Sequence, residues 1–170
     1  MIPTQYNPKR SVCINLIDNS TILQSKDLSW ETYLFSDRLN PNTGIYHCYL
    51  TYESPNLQLS RFVIGVASES FYVGQDQFIG SDSQSWGLSS DGRFYHNGRF
   101  EEDVCVFGSR VNAGETIEMI VDTDKGILYY RRCQYSDYMV VARRDLYGKV
   151  LIPGVSLYRK DHQFVLRGLP

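Results

Sequence analysis

Cysteine is sparse in this chain, and its four cysteines, Cys13, Cys48, Cys105 and Cys133, stand far apart with no CxxC pair. That spacing offers neither a zinc site nor a thioredoxin-type redox motif. Each lies in or beside an apolar strand pattern, so buried, reduced thiols are expected. Disulfides are not needed either, because a globule of 170 residues can bury about two thirds of its unfolded surface. Long apolar runs are missing as well: nothing approaches the ~20 residues that span a bilayer. The N-terminus, Met1-Ile-Pro-Thr-Gln-Tyr6, lacks the charged and then apolar regions of a signal peptide. The chain therefore reads as cytoplasmic with no membrane partner, and the sequon Asn19-Ser20-Thr21 reads as a chance match. A concentrated basic face is absent too. Net charge is −2, and basic residues cluster only as pairs such as Lys9-Arg10, Arg131-Arg132 and Arg143-Arg144, so nucleic acid is not the expected partner.

Catalytic constellations are also lacking. Glu118 and Asp122 share a strand face with Ile120 between them, and four residues of strand separate their Cα atoms by about 13 Å, far beyond the ~5 Å between carboxyls in a retaining glycosidase. Glu118 reads instead as solvent-facing and Asp122 as a turn residue before Lys125-Gly126. His47, His96 and His162 show no HxxxH or HExxH spacing, so no metal is expected, and His96 reads as structural. Ser156 lacks the GxSxG elbow, and neither phosphate-binding glycine motif occurs. No catalytic residue, cofactor or enzymatic activity is expected.

Aromatic residues, in contrast, are abundant, with 13 Tyr, 8 Phe and 2 Trp, and they supply large units of buried area suited to sheets. Alternating or apolar runs recur between turn signals at 11–17, 45–52, 61–67, 103–107, 116–121, 126–130, 138–142, 152–157 and 163–166. Short strands at this spacing predict a sandwich or barrel. The best helical candidate is 26–39, where Leu28, Thr32, Phe35 and Leu39 share a face. Loops at 53–58, 68–80, 107–114 and 158–162 have the character of recognition loops on a scaffold. No linker or repeat divides the chain, so one domain is expected over 1–170.

The densest segment runs from Gly80 to Gly98, GSDSQSWGLSSDGRFYHNG. Asp91-Gly92 between two apolar and aromatic runs predicts a tight hairpin, read as a type I′ turn, and Trp86 beside Gly87 reads as a packing residue. With this segment, Asn42-Thr-Gly44-Ile-Tyr46, Val63-Ile-Gly65-Val-Ala67, Gly114-Glu-Thr-Ile-Glu-Met-Ile-Val-Asp122, Gly126-Ile-Leu-Tyr-Tyr130 and Ile152-Pro-Gly-Val-Ser-Leu157 form an ordered set that resembles the SPRY domain family. The likeness spans about 34–169, with 1–33 as a lead-in strand. It implies an all-β fold, a two-layer antiparallel β-sandwich of the concanavalin-like jelly-roll type with few or no helices. It also implies a non-catalytic adaptor or substrate-recognition module that binds a protein or short linear peptide through its loops.

In SPRY proteins of the SOCS-box type, the peptide pocket uses an aromatic residue before the SWG segment and a Val-Trp-Gly stretch after the last strand. On this chain those positions fall at or near Gln75, with Tyr72 the nearest aromatic, and on Tyr158-Arg159-Lys160. Asp76 and Phe78 belong to the first of these segments. The pocket chemistry therefore departs from that subfamily, and a basic and aromatic pair at 158–160 suits an acidic or aromatic segment. No RING, B-box, coiled-coil, F-box or SOCS-box segment is visible within the 170 residues, so coupling to the ubiquitin pathway would have to come from sequence outside them. A carbohydrate-binding sandwich is the alternative, because tyrosines stack on sugar rings, although no calcium-ligand cluster is evident. Oligomeric state is not legible.

Overall fold

Side chains of a strand alternate between its two faces, so a period-2 pattern bounded by turn residues builds a layer with one face to bury. A computed structural model of the chain describes residues 14–17, 22–25, 30–35, 37–53, 61–72, 76–134, 139–158 and 163–167; at 14–17, 22–25, 53, 103, 105 and 163–167 it describes the backbone alone. Thirteen strands lie in this portion: β1 Ile14–Ile17, β2 Ile22–Ser25, β3 Trp30–Leu34, β4 Ile45–Glu53, β5 Arg61–Ser68, β6 Ser85–Ser89, β7 Arg93–His96, β8 Arg99–Cys105, β9 Thr116–Asp122, β10 Ile127–Arg132, β11 Val140–Arg143, β12 Leu151–Tyr158 and β13 Gln163–Arg167. They form a seven-stranded sheet, β1-β2-β13-β4-β9-β10-β11, and a six-stranded sheet, β3-β12-β5-β6-β7-β8, with antiparallel neighbours. The expected two-layer antiparallel sandwich is what the chain forms.

The main core lies between the sheets. Cys48, Leu50 and Tyr52 of β4 and Ile117, Met119 and Val121 of β9 face Phe62, Ile64 and Val66 of β5 and Val155 and Leu157 of β12. Tyr130, fully buried, donates from its hydroxyl to the Ile64 carbonyl at 2.6 Å and so ties one sheet to the other. Trp86 is only 4% exposed within this core, as its packing role required, and stacks on His96 with ring centroids 5.0 Å apart. His96 Nδ1 lies 2.8 Å from the Ser85 carbonyl oxygen. Cys48 is buried and Cys133 half-buried, both with free thiols, whereas Cys13 and the side chain of Cys105 lie outside the described residues.

Two expectations need correction. The helical candidate 26–39 is not one of them: in line with the expected scarcity of helices it contains β3, and no helix occurs among the described residues. Tyr33 and Phe35 enter the main core while Leu34 between them enters a second cluster on the opposite face, so successive side chains alternate between two covered faces and the strand is buried almost throughout. The Asp91-Gly92 hairpin is real but its turn is not type I′. Gly92 has φ +88° while Asp91 has no positive φ, and the Gly92 amide donates to the Ser89 carbonyl at 2.9 Å. This is a type I turn followed by a left-handed glycine, the three-residue hairpin. The two-residue I′ geometry occurs instead at Asn97 and Gly98, with φ +56° and +81°, between the paired residues His96 and Arg99. Finally, Glu118 does not face solvent: its side chain is 3% exposed.

Candidate functional site

The outward face of the six-stranded sheet carries a layer of its own. Register places Leu34, Gly154, Gly65, Gly87 and Tyr95 side by side across five strands, so three glycines in a row leave a trough. The segment after Asp76 lies in it. A Cβ on Gly87 would come within 2.3 Å of a Val63 methyl and 3.0 Å of the Ile79 carbonyl oxygen, and one on Gly154 within 3.2 Å of the Ile79 side chain. Ile79 and Phe71 thereby complete a buried cluster with Leu34, Val63, Ala67 and Ile152.

Hydroxyls of the neighbouring row hold this segment down. The Ile79 amide donates to Ser156 Oγ at 2.9 Å, and Thr32 Oγ1 donates to the Gln77 carbonyl at 2.7 Å. With the Thr32 proton so committed, the 2.8 Å contact between the two hydroxyls has Ser156 as donor. At the end of the segment, Asp76, in the left-handed region at φ +64°, accepts from the Trp30 amide at 3.1 Å.

Phe78 is thus delivered against Trp30 with centroids 4.8 Å apart, and Trp30 in turn meets Tyr158 at 5.3 Å. Phe78 also meets Tyr95 edge-on at 6.1 Å, and Tyr95 meets Phe100 at 6.2 Å. Five rings therefore run without a break from β3 and β12 to β8. Beside them opens a concavity of about 380 Å³, with Trp30, Phe78, Tyr95 and Val63 as its apolar wall and Arg61, Arg93, Arg110, Asp91, Ser89 and Ser90 as its polar rim. Arg61 lies next to Tyr158 in register. Arg110 reaches the rim because the loop at 107–111 is pinned to the hairpin, the Val111 amide donating to the Ser90 carbonyl and the Phe107 amide to the Gly92 carbonyl. Arg132, paired with Glu115, holds the same loop through the Ser109 hydroxyl at 2.7 Å and the Arg110 carbonyl at 3.1 Å. Partial burial pushes the Tyr95 phenol up, reinforced by Asp91 and opposed by Arg93 and Arg61, so the rim presents a neutral hydroxyl at physiological pH.

Of the sequence-predicted site residues, Asp76, Phe78 and Tyr158 converge around Trp30. Tyr72 is 73% exposed and does not line the concavity. Gln75, Arg159 and Lys160 lie outside the described residues, as does His162. Sequence reasoning missed Trp30, Arg61, Arg93, Tyr95 and Arg110. A usable signal existed at 61–67, where inward Phe62, Ile64 and Val66 leave Arg61 and Val63 on the outer face.

The opposite sheet carries a polar network centred on Glu118 of β9. Glu118 receives the Tyr49 hydroxyl at 3.0 Å and Arg131 Nε at 2.7 Å, and its Oε1 lies 2.9 Å from His47 Nδ1. Burial alone would raise its carboxyl, but the bonds from His47, Arg131 and Tyr49 together hold it below its ordinary value. Asp122 does take the expected turn role, accepting from the Asp124 and Lys125 amides at 3.0 Å.

A family model described as "SPRY domain" matches residues 49–169. The chain belongs to the SPRY domain family. Solved SPRY structures share its architecture: the SPRY domain of human HERC1 has a TM-score of 0.77 at 16% identity, with 97% of this chain and 98% of that one covered. The TRIM65 PSpry domain has a TM-score of 0.72 at 14% identity, covering 96% and 88%. A further human SPRY domain has a TM-score of 0.68 at 15% identity, covering 91% and 94%. No curated protein matches. SPRY domains are generally non-catalytic protein-interaction modules.

Proposed function

We propose that this SPRY domain is an intracellular recognition or adaptor module that binds a short peptide or protein surface in the concavity beside Trp30, Phe78 and Tyr95. The observation that carries this reading is the unbroken five-ring wall with an open recess next to it. Aromatic side chains dominate protein-recognition energetics because they bring large area at little rotamer cost. Here they stand on strands and on a segment strapped to strands, which keeps a site in position before binding. Tyr72, Gln75, Asp76, Tyr158, Arg159 and Lys160 belong to the same proposal as flanking contacts. The partner is a protein rather than nucleic acid or a membrane.

A synthetic peptide library probed with the wild-type domain and with Trp30→Ala and Phe78→Ala tests the reading. Peptides selected by the wild type should lose at least about tenfold in affinity on each variant, the ordinary cost of removing a central anchor, while melting confirms that each variant is folded. Equal binding by folded variants would remove the site from this face. A glycan array run alongside addresses the carbohydrate alternative, and saturable binding to one glycan with no peptide bound would favour it.

A further inference from the structure

The concavity is more specific than an apolar slot, and its charge is the reason. Three arginines, Arg61, Arg93 and Arg110, stand on the rim against the single carboxylate of Asp91. That carboxylate is engaged within its own turn, where Oδ1 accepts from the Arg93 amide at 3.0 Å. Arg93 places its guanidinium 4.4 Å from the centroid of the Phe100 ring, which orients the charge without neutralising it. Among the described residues neither Arg61 nor Arg93 forms an ion pair, whereas Arg131, Arg132 and Arg143 all do. Both side chains are exposed. The chain as a whole carries a net charge of −2, so this positive rim is a local departure rather than part of a general basic surface.

We infer that the concavity takes an acidic peptide, the carboxylate of an aspartate or glutamate meeting Arg61 and Arg93 while an adjacent aromatic or large apolar side chain packs against Trp30 and Phe78. The inference rests on the peptide-binding reading of the same site. Guanidinium groups present a planar fork of donors that matches a carboxylate, and Arg61 beside Tyr158 in register brings that fork to the end of the ring series. The anchor and the charge are separate parts of one surface, so they separate by mutation.

The experiment uses synthetic peptides of one length carrying Trp, Phe or Leu at the centre, flanked by Glu, by Gln or by phosphoserine. Binding is measured to the wild type, to Arg61→Gln and Arg93→Gln singly and together, and to Trp30→Ala. The Glu-flanked series should bind at least about tenfold more tightly than the Gln series, a preference the double arginine variant abolishes along with most of the salt dependence. Trp30→Ala should weaken both series alike. Equal affinity for Glu and Gln peptides on the wild type refutes the acidic partner while leaving the peptide site standing. Tight binding confined to phosphoserine peptides overturns the carboxylate in favour of a phosphate. Binding that survives Trp30→Ala and the arginine changes together, or no peptide binding at all, overturns the site as well as its ligand.

Discussion

Replacing Trp86 by alanine should destabilise the domain by about 3 to 5 kcal/mol, the range for deleting a fully buried aromatic side chain. The indole is 4% exposed among core residues of the six-stranded sheet, and stacking on His96 at 5.0 Å adds to the area term, which places the value in the upper part of that range. For a chain of this size each kcal/mol moves the midpoint by roughly 2–4 °C, so Tm should fall by about 6–20 °C. Trp86→Phe is the informative companion. The indole Nε1 is buried and has no hydrogen-bond partner among the described residues, so phenylalanine forfeits no hydrogen bond seen there and should cost roughly 1–2 kcal/mol for lost volume alone. Thermal melting and urea titration of the three proteins, with m unchanged, read both values. Trp86 is on the inner face, so folded Trp86→Phe should bind the same peptides as wild type. Unchanged melting of Trp86→Ala, or lost binding by a fully stable Trp86→Phe, would show that this residue belongs to the recognition surface and refute the packing argument.

Glu118→Gln should lower stability at neutral pH by roughly 1–3 kcal/mol, less than a fully buried pair because Arg131 and His47 are partly exposed. The wild-type carboxyl sits below its ordinary value of 4.5, so its contribution is complete above that pH and is lost as pH falls through the folded value; the gap between wild type and variant, measured by urea unfolding, should therefore narrow in acid, and a gap that widens would reverse the assignment. Ser156→Ala strands the buried Ile79 amide, which should cost about 1–3 kcal/mol and weaken peptide binding by loosening the segment that carries Phe78. Amide exchange at Ile79 reads this directly, and unchanged protection would disprove the strap.

Much of the fold was legible because short runs of apolar, β-branched and aromatic residues recur between turn signals. The runs at 45–52, 61–67, 116–121 and 152–157 coincide with β4, β5, β9 and β12; β5 and β12 are buried on both faces, as near-continuous apolar strands are. β3 has the same double burial with a weaker pattern, because the buried polar residues Glu31 and Thr32 interrupt the apolar run that marks the other strands. At the hairpin, Asp-Gly and Asn-Gly carry the same turn signal, and only register decides which takes the two-residue form: His96 pairs directly with Arg99, leaving room for just Asn97 and Gly98.

The site was harder to read for a related reason. Phe78 and Tyr158 were identified from the resemblance, but the residue that joins them, Trp30, lies 48 positions before one and 128 before the other, and only the β3-β12 pairing sets it beside Tyr158. The arginines are still more dispersed: Arg61 opens a strand, Arg93 closes a turn and Arg110 sits on a loop fastened by Arg132 from the opposite sheet. Local patterning sees each as an ordinary solvated cation, and a search for basic clusters along the chain passes over all three. What makes them a site is the glycine trough of Gly154, Gly65 and Gly87, which lets the segment at 76–80 lie low enough for Phe78 to meet Trp30 and Tyr95. Those glycines were visible only as members of separate motifs, 63–67, 80–98 and 152–157, and not as neighbours, because adjacency across strands is a property of register, and register is settled by the whole sheet.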